Sequence, residues 1–202
     1  KEPIRVTGAS RTDAGVHALG QRAHFDMKGS IPPEKLPFAV NTLLPRDIRA
    51  LAAEQVPAAF HARFDARGKE YGYTILNRRH ASALERHRSA HVPLPLDEGL
   101  MQAAADTLLG RHDFAAFEAS GGTLHTAQVK REGDLLHLTV RGDAFLYNMV
   151  RIIAGTLILI GQGKLPVDSF TRAIASGDRL LLGPTAPPQG LVLRQVYYQE
   201  VP

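Results

Sequence analysis

The order of apolar and polar positions along the chain predicts short strands mixed with helices. From Lys69 to Leu76 the side chains alternate between two faces, with Lys69, Tyr71 and Tyr73 on one of them. This period of two is that of a β-strand. Other strands are predicted at residues 4–8, 19–27, 48–56, 129–130, 135–140 and 191–198, and helices at 32–44, 97–108, 145–160 and 167–175.

The predicted strands and helices do not alternate regularly, which favours an α+β fold with a mostly antiparallel sheet. Prolines at positions 93 and 95 form a natural linker between two groups of elements. The pattern therefore predicts two lobes, residues 1–92 and residues 93–202.

Composition narrows the class of protein. With 44% hydrophobic and 22% charged residues, the chain has a globular rather than a disordered composition. The absence of cysteine excludes a disulfide framework and a thiolate nucleophile. The longest apolar run, residues 152–160, is about half of the ~20 residues that span a bilayer. We therefore expect a cytoplasmic protein without a membrane partner.

The positive charge of the chain is concentrated in one segment. The net charge is +4, from 24 Lys plus Arg and 20 Asp plus Glu. Residues 61–91 hold seven of the cations and three of the anions, so this basic segment carries the whole surplus. Arginine also outnumbers lysine by 18 to 6 in the whole chain, and its flat fork suits phosphate groups and base edges, although a GC-rich genome produces the same preference for arginine.

The polar loop at residues 10–17 is the strongest candidate for chemistry. Asp13 lies there on a turn that contains Gly15, and a carboxylate on a tight turn between strands is exposed and rigidly aimed. Taken alone, the pattern is more typical of a plain turn in which Asp13 bonds its own backbone. The spacing of Asp13, His17, His24 and Asp26 matches no standard metal-ligand pattern, so no metal is expected.

Four motifs then follow in order along the chain. Their residues are S-R-T-D-A-G-V-H-A at 10–18; F-H-A-R with Ala66, Lys69, Tyr71 and Tyr73 at 60–73; F-L-Y-N-M-V-R with Gly155 at 145–155; and Arg179, Gly183, T-A-P and G-L at 179–191. Together they resemble the tRNA pseudouridine synthase A family, which usually has glycine where this chain has Ser10. The resemblance extends to the C-terminal strand.

The resemblance implies a fold and a reaction. The fold would be two ferredoxin-like lobes whose sheets join, with the active-site cleft between them, in a homodimer. The reaction would isomerise uridine to pseudouridine at positions 38, 39 and 40 of the tRNA anticodon stem-loop. It breaks the bond from N1 to C1′ and joins C5 to C1′, without net redox change or hydrolysis, so no cofactor is expected.

The resemblance also assigns the catalytic residues. Asp13 matches the catalytic carboxylate, which would either attack C1′ or remove the C2′ proton; both routes stay open. Arg151 matches its ion-pair partner, and Tyr71 matches the tyrosine that would stack on the target base and assist proton removal from C5. For Tyr73, a purely structural strand position is at least as good an interpretation.

Five cations are candidates for RNA binding. Arg11 would fill the space that the flipped uridine leaves, with a phosphate contact or an ion pair inside the loop as alternatives. The others would contact the RNA backbone, and a solvated charged face is the alternative for them: Arg63, Lys69, Arg78 and Arg79.

The start of the chain departs from the family pattern. The first residue is Lys1, and no segment matches the strand and helix with which family members open. We therefore expect the first lobe to be incomplete at its N-terminus. This leaves an alternative function, that of a truncated and catalytically inactive tRNA-binding fragment.

Overall fold

The computed structural model describes residues 3–29, 31–117 and 121–199. Its strands are β1 (Thr7–Gly8), β2 (His17–Ala18), β3 (Ala23–His24), β4 (Gly68–Asn77), β5 (Ala90–Val92), β6 (Gly110–His112), β7 (Gly122–Glu132), β8 (Leu135–Gly142) and β9 (Leu191–Tyr197). Its α-helices are α1 (Leu36–Asn41), α2 (Glu98–Asp106), α3 (Met149–Gly161) and α4 (Ser169–Ser176). None of the described helices is long and apolar enough to cross a membrane.

Seven strands form one sheet, and β4 lies at its centre. The order is β2-β9-β4-β8-β7-β6, and β5 pairs with the end of β4. The pairings of β4 with β8 and β9, of β7 with β8 and of β6 with β7 are antiparallel. The pairings of β2 with β9 and of β5 with β4 are parallel. Strands β1 and β3 form a separate antiparallel pair. The predicted α+β class with a mostly antiparallel sheet is confirmed.

The alternation along β4 places an apolar face against the helices. Tyr71, Tyr73 and Ile75 are all buried on this face, in the same core as Ile153 and Leu157 of α3. The opposite face of the sheet is polar and bears charged and hydroxylic side chains. Its members include Glu70, Thr74, Lys130, Glu132, His137, Thr139 and Arg194.

Three of the predicted strands are wrong or shortened. Residues 48–56 form no strand, and Ile48, Leu51 and Val56 are exposed because none of the described strands pairs with this segment. The strands predicted at 4–8 and 19–27 are reduced to the two-residue strands β1 and β3. The long elements are confirmed within a few residues, among them β4, α2, β8, α3 and β9.

The part of the chain before β4 contributes little to the core. Between residues 3 and 66, only Ala9, Pro37 and Ala62 are buried among the described positions. Large apolar side chains are instead exposed there, such as Phe38 at 76% and Leu43 at 87%. The central sheet crosses the boundary predicted between residues 92 and 93, since β4 pairs with β8 and β9. The division into two lobes stays a prediction.

Candidate active site

The loop that carries Asp13 is held at both of its ends. At its start, the Ala9 amide donates to the Arg22 carbonyl over 2.7 Å, and the Gln21 side chain bonds both the amide and the carbonyl of Ser10. At its end, β2 pairs with β9. A loop anchored in this way presents its carboxylate from a fixed position.

Asp13 lies on a tight turn inside this loop. The Val16 amide donates to the Asp13 carbonyl over 2.9 Å, and Gly15 has a φ of 84° that few other residues adopt. A Cβ on Gly15 would lie 3.2 Å from Pro188, so the turn also packs against the segment before β9. The backbone alone therefore fixes the turn, and the side chain of Asp13 is not used to hold it.

The side chain of Asp13 meets that of Arg151. Arg151 Nη1 lies 3.6 Å from Asp13 Oδ2, with exposed fractions of 15% for the arginine and 36% for the aspartate side chain. Arg151 Nε donates to the Ala186 carbonyl over 2.7 Å, and its Nη1 donates to Asn148 Oδ1 over 2.8 Å. The guanidinium is thus fixed by neutral acceptors while its charge faces Asp13.

Two glycines let helix α3 pack closely on the segment 183–187, and this packing positions Arg151. A Cβ on Gly155 would overlap the Pro184 carbonyl oxygen, and a Cβ on Gly183 would come within 2.8 Å of the Gly155 carbonyl. Only glycine allows helix α3 and the segment 183–187 to approach so closely. As a result, the Ala186 amide donates to the Arg151 carbonyl over 3.0 Å, and the Ala186 carbonyl reaches Arg151 Nε.

Asn148 closes the N-terminal end of α3 in an unusual conformation. It is the only non-glycine residue with a positive φ among those described, at 57°. Its side chain accepts from Arg151 instead of capping the helix. Asn tolerates the left-handed region better than most residues. The local backbone therefore supports the position of Arg151.

Tyr71 points its hydroxyl toward the same loop. The phenol oxygen lies 2.9 Å from Ser10 Oγ, and the ring packs edge-on against Phe145 with 5.0 Å between ring centroids. Only 7% of Tyr71 is exposed, which leaves little of its ring open for stacking on a base. Burial raises the pKa of the phenol, and the Ser10 hydrogen bond opposes this in part.

Tyr73 occupies a structural position. Its hydroxyl donates to the Pro187 carbonyl over 2.8 Å, and its ring is fully buried with Gly190 against it. Burial raises the pKa of this phenol strongly, and the positive charge of Arg151 opposes the rise. The geometry therefore favours the structural interpretation of Tyr73.

The five predicted RNA-binding cations do not form one cluster. Arg11, Arg63 and Arg79 are exposed. Lys69 is half-buried, and burial together with the nearby charge of Arg63 lowers its pKa. Arg78 pairs with Asp134 at 3.3 Å and follows the far end of β4, roughly 20 Å along the strand from Tyr71.

Two other arginines lie closer to the loop of residues 10–17, which we call the catalytic loop after the role predicted for Asp13. The ring of His17 contacts the carbonyl of His87, which brings the loop after β4 back to the end of the loop that carries Asp13. Arg86 and Arg88 flank His87 in the chain and are both exposed. Both belong to the basic segment, but no pattern in the sequence indicates that His87, which lies between them, contacts His17.

Three further residues that the motifs did not single out hold the site. Ser10 bonds Tyr71, Asn148 bonds Arg151, and the Ala186 carbonyl accepts from Arg151. Each of them lies inside one of the four motifs but was given no role there. Their place in the motifs was the one feature of the sequence that could have pointed to them. Among residues 3–29, 31–117 and 121–199, no group of three His, Cys, Asp or Glu side chains is arranged to hold a metal ion.

The arrangement defines a class of enzyme site. A carboxylate that faces a fixed guanidinium has the geometry of a group that serves as a nucleophile or as a base. A buried phenol that reaches the same loop supplies a second group for proton transfer. Such a site suits chemistry at a carbon atom, and the chain contributes all three groups itself.

Comparison with known proteins gives the family. The family described as tRNA pseudouridine synthase matches residues 1–65 and 104–199. The tRNA pseudouridine synthase A of Ruminiclostridium cellulolyticum is 49% identical over an alignment of 205 positions, and this alignment covers 98% of this chain and 84% of that relative. Proteins of the same name from Acetivibrio thermocellus and Bacillus pumilus are 46% and 45% identical, with 84% and 83% of their lengths covered. The chain belongs to the tRNA pseudouridine synthase family.

Proposed function

We propose that this protein isomerises uridine to pseudouridine at positions 38, 39 and 40 in the anticodon stem-loop of tRNA. The observation that carries the proposal is the pairing of Asp13 with Arg151 at 3.6 Å, in the same loop that Tyr71 contacts through Ser10. The tRNA substrate is supported by the names of the relatives. The three positions rest on the resemblance of the motifs.

Asp13 initiates the reaction at the sugar. It either attacks C1′, so that the bond from N1 to C1′ breaks and the base leaves, or removes the C2′ proton, so that the same bond breaks and a glycal forms. The base then rotates and C5 bonds to C1′. In the first route this displaces Asp13 from C1′, and in the second the proton returns to C2′. C5 finally loses its proton, and N1 gains one. Arg151 holds the Asp13 carboxylate in place through their ion pair.

Tyr71 serves the step at C5. Its hydroxyl lies at the catalytic loop, where it assists removal of the C5 proton after the new bond forms. Because the ring is largely buried, its edge and hydroxyl contact the base more than its face does. Arg11, exposed two residues before Asp13, occupies the space that the flipped uridine leaves in the RNA.

The basic segment binds the RNA backbone. Arg63, Lys69, Arg78 and Arg79 supply positive potential on both sides of Tyr71 along β4. A tRNA that runs along this strand contacts phosphates at both ends while its target base enters near Asp13. Local positive potential serves this purpose at a net charge of only +4.

The protein acts as a homodimer in this proposal. The resemblance to the family supports it, and so does the open polar face of the central sheet. That face mixes Glu70 and Glu132 with Lys130 and Arg194, a pattern that a second copy complements through two-fold symmetry. Light scattering tests it: we expect twice the mass of the chain, and a charge reversal of Lys130 and Arg194 to Glu produces monomers.

The catalytic proposal is tested with Asp13→Asn. Tritium release from tRNA labelled at C5 of uridine measures the reaction directly, and single U-to-C changes at positions 38, 39 and 40 identify the sites. We expect a loss of activity of at least about 10³-fold, because the nucleophile or base is gone while the shape is kept. Binding of tRNA stays within about twofold of the parent. Pseudouridine formation by Asp13→Asn would contradict the mechanism.

The alternative is a tRNA-binding fragment without activity. One observation favours it: the described residues between 3 and 66 bury only three side chains, so this part of the chain adds little to the core. The same assay distinguishes the two. A chain that binds tRNA but releases no tritium, in its parent form as well as in Asp13→Asn, is the fragment.

A further inference from the structure

We propose that Ser10 is a positioning residue for Tyr71, and that its hydroxyl holds the phenol in the site through a hydrogen bond. The inference rests on the proposed function, because it gives Tyr71 a part in the reaction. Ser10 belongs to the catalytic loop and Tyr71 to the central strand β4, so the bond joins two elements 61 residues apart in the chain.

The Ser10 end of this bond is fixed by the backbone. The Ser10 amide donates to Gln21 Oε1 over 3.3 Å, and the Ser10 carbonyl accepts from Gln21 Nε2 over 2.9 Å. The preceding residue, Ala9, is fully buried and bonds Arg22. The backbone of Ser10 is therefore held in one place, which limits the positions that its hydroxyl can take.

The Tyr71 end is equally constrained. Its strand is paired with Val140 of β8 on one side and Leu193 of β9 on the other. The edge contact with Phe145 limits rotation of the ring. Among the described residues, Ser10 Oγ is the only group that forms a hydrogen bond with the phenol oxygen. The orientation of the hydroxyl proton thus depends on Ser10.

This bond changes the proton chemistry of the phenol. A serine hydroxyl that donates to the phenol oxygen stabilises the phenolate, and one that accepts aligns the phenol proton. Burial raises the pKa of Tyr71 and the Ser10 bond lowers it, so the serine offsets part of the cost of ionising a buried phenol. A glycine at this position would offer no hydroxyl. Ser10 therefore gives this chain a means of tuning Tyr71.

The test compares Ser10→Ala with Ser10→Thr, which keeps a hydroxyl, in the tritium-release assay. Ser176→Ala is the matched control, because its hydroxyl bonds the Arg172 carbonyl in the exposed part of α4. We expect Ser10→Ala to lower kcat about 5- to 20-fold with little change in KM, as for the removal of one buried hydrogen bond. Its alkaline pH profile shifts to higher pH, and Ser10→Thr restores most of the rate.

A second background separates positioning from a general effect on folding. In Tyr71→Phe the phenol oxygen is gone, so adding Ser10→Ala is expected to cost no further activity. The proposal is overturned if Ser10→Ala keeps the parent kcat and pH profile, or if it reduces the residual rate of Tyr71→Phe by the same factor.

A spectroscopic titration keeps the inference separate from the proposed function. The ultraviolet titration of Tyr71, assigned by difference from Tyr71→Phe, is expected to move to higher pH in Ser10→Ala. If the parent protein forms no pseudouridine, the proposed function fails, and this titration alone then decides whether Ser10 controls the phenol. An unchanged titration overturns the inference.

Discussion

Single residues at the site have roles that their type alone does not reveal. Arg151 turns its charge toward the Asp13 carboxylate, while a backbone carbonyl and an amide oxygen fix its guanidinium. The three partners of this one flat group are therefore a carboxylate, a carbonyl and a side-chain amide. A guanidinium, with five N–H donors, serves all of them at once.

Arg151→Gln removes the charge that faces Asp13. We expect kcat in the tritium-release assay to fall about 100-fold, because electrostatic stabilisation at the reacting group disappears. Arg151→Lys restores only part of the rate, since an ammonium does not reach Asn148 and Ala186 together. Arg172→Gln, a change at an exposed position of α4, serves as the control. A parent kcat in Arg151→Gln would contradict this role.

At the scale of elements, the segment 183–190 joins the parts of the site. Its carbonyls accept from Arg151 and Tyr73, and Pro188 packs against Gly15 of the catalytic turn. The close packing of Gly155 on this segment makes these contacts possible. The segment has no regular secondary structure before residue 188, so its role arises from the elements around it.

Gly155→Ala tests this packing. Its new Cβ would overlap a backbone oxygen, so helix α3 and the segment must separate. We expect a decrease of about 1–3 kcal/mol in the free energy of unfolding from overpacking, measured by urea titration. Activity falls as well, because the hydrogen bond between Arg151 and Ala186 is disturbed.

The control for this variant is Gly99→Ala in α2. Its new Cβ would meet only a side-chain oxygen of Asp97 at 3.2 Å, and we expect a change below about 1 kcal/mol. Equal stability of Gly155→Ala and the parent would show that the segment does not need this close approach.

At the scale of the whole molecule, the basic residues are spread along the central strand and the loop that follows it. Arg78 is engaged with Asp134, whereas Arg86 and Arg88 lie beside His87, which contacts the end of the catalytic loop. The distribution lets one RNA contact both ends of β4. It also indicates that Arg86 and Arg88 lie nearer to the catalytic loop than Arg78 does.

Two double variants compare these cations. Arg86→Gln with Arg88→Gln, and Arg78→Gln with Arg79→Gln, each remove two charges. We expect both pairs to weaken tRNA binding and to reduce the slope of log K against log salt by roughly one for each phosphate that the variant no longer neutralises. Fluorescence anisotropy over a range of salt concentrations measures it. The pair at 86 and 88 has the larger effect, and an unchanged slope in both would contradict RNA binding by this segment.

The buried phenols make global stability depend on alkaline pH. Burial raises the pKa of Tyr71 and Tyr73, so in the folded protein they stay protonated above pH 10.0, where the unfolded chain loses these protons. The unfolded state then binds fewer protons, and the free energy of unfolding falls as pH rises. The pKa of Lys69 is lowered from 10.5 in the folded protein, so below pH 10.5 the unfolded chain holds this proton more tightly. This contribution makes the free energy of unfolding rise with pH, but only up to about pH 10.5.

Tyr73→Phe isolates this effect. Urea unfolding between pH 8 and 11.5 is expected to show a steep loss of stability above about pH 10.5 in the parent and a shallower one in the variant. At pH 8 the variant is less stable by about 1 kcal/mol, because the hydrogen bond to the Pro187 carbonyl is gone. Equal slopes in the two proteins would contradict the assignment.

Strong local patterns in the sequence predicted much of the fold. The alternation in β4, the Asp97 cap of α2 and the apolar run of α3 each encode their element within a few neighbouring residues. The strand predicted at 48–56 was wrong because a strand needs a neighbouring strand to pair with, and none of the described strands pairs with this segment. Strand formation depends on such a partner more than helix formation does.

The sequence by itself determined the α+β class, the family and the candidate residues Asp13, Tyr71 and Arg151, because motifs and periodicity are local properties of the chain. Only the tertiary structure decided how these residues meet. The contacts of Arg151 with Asp13 and Ala186, and of Ser10 with Tyr71, join positions between 35 and 138 residues apart. They depend on close approaches at Gly155 and Gly183 and on the pairing of β4, and no local pattern encodes those distances.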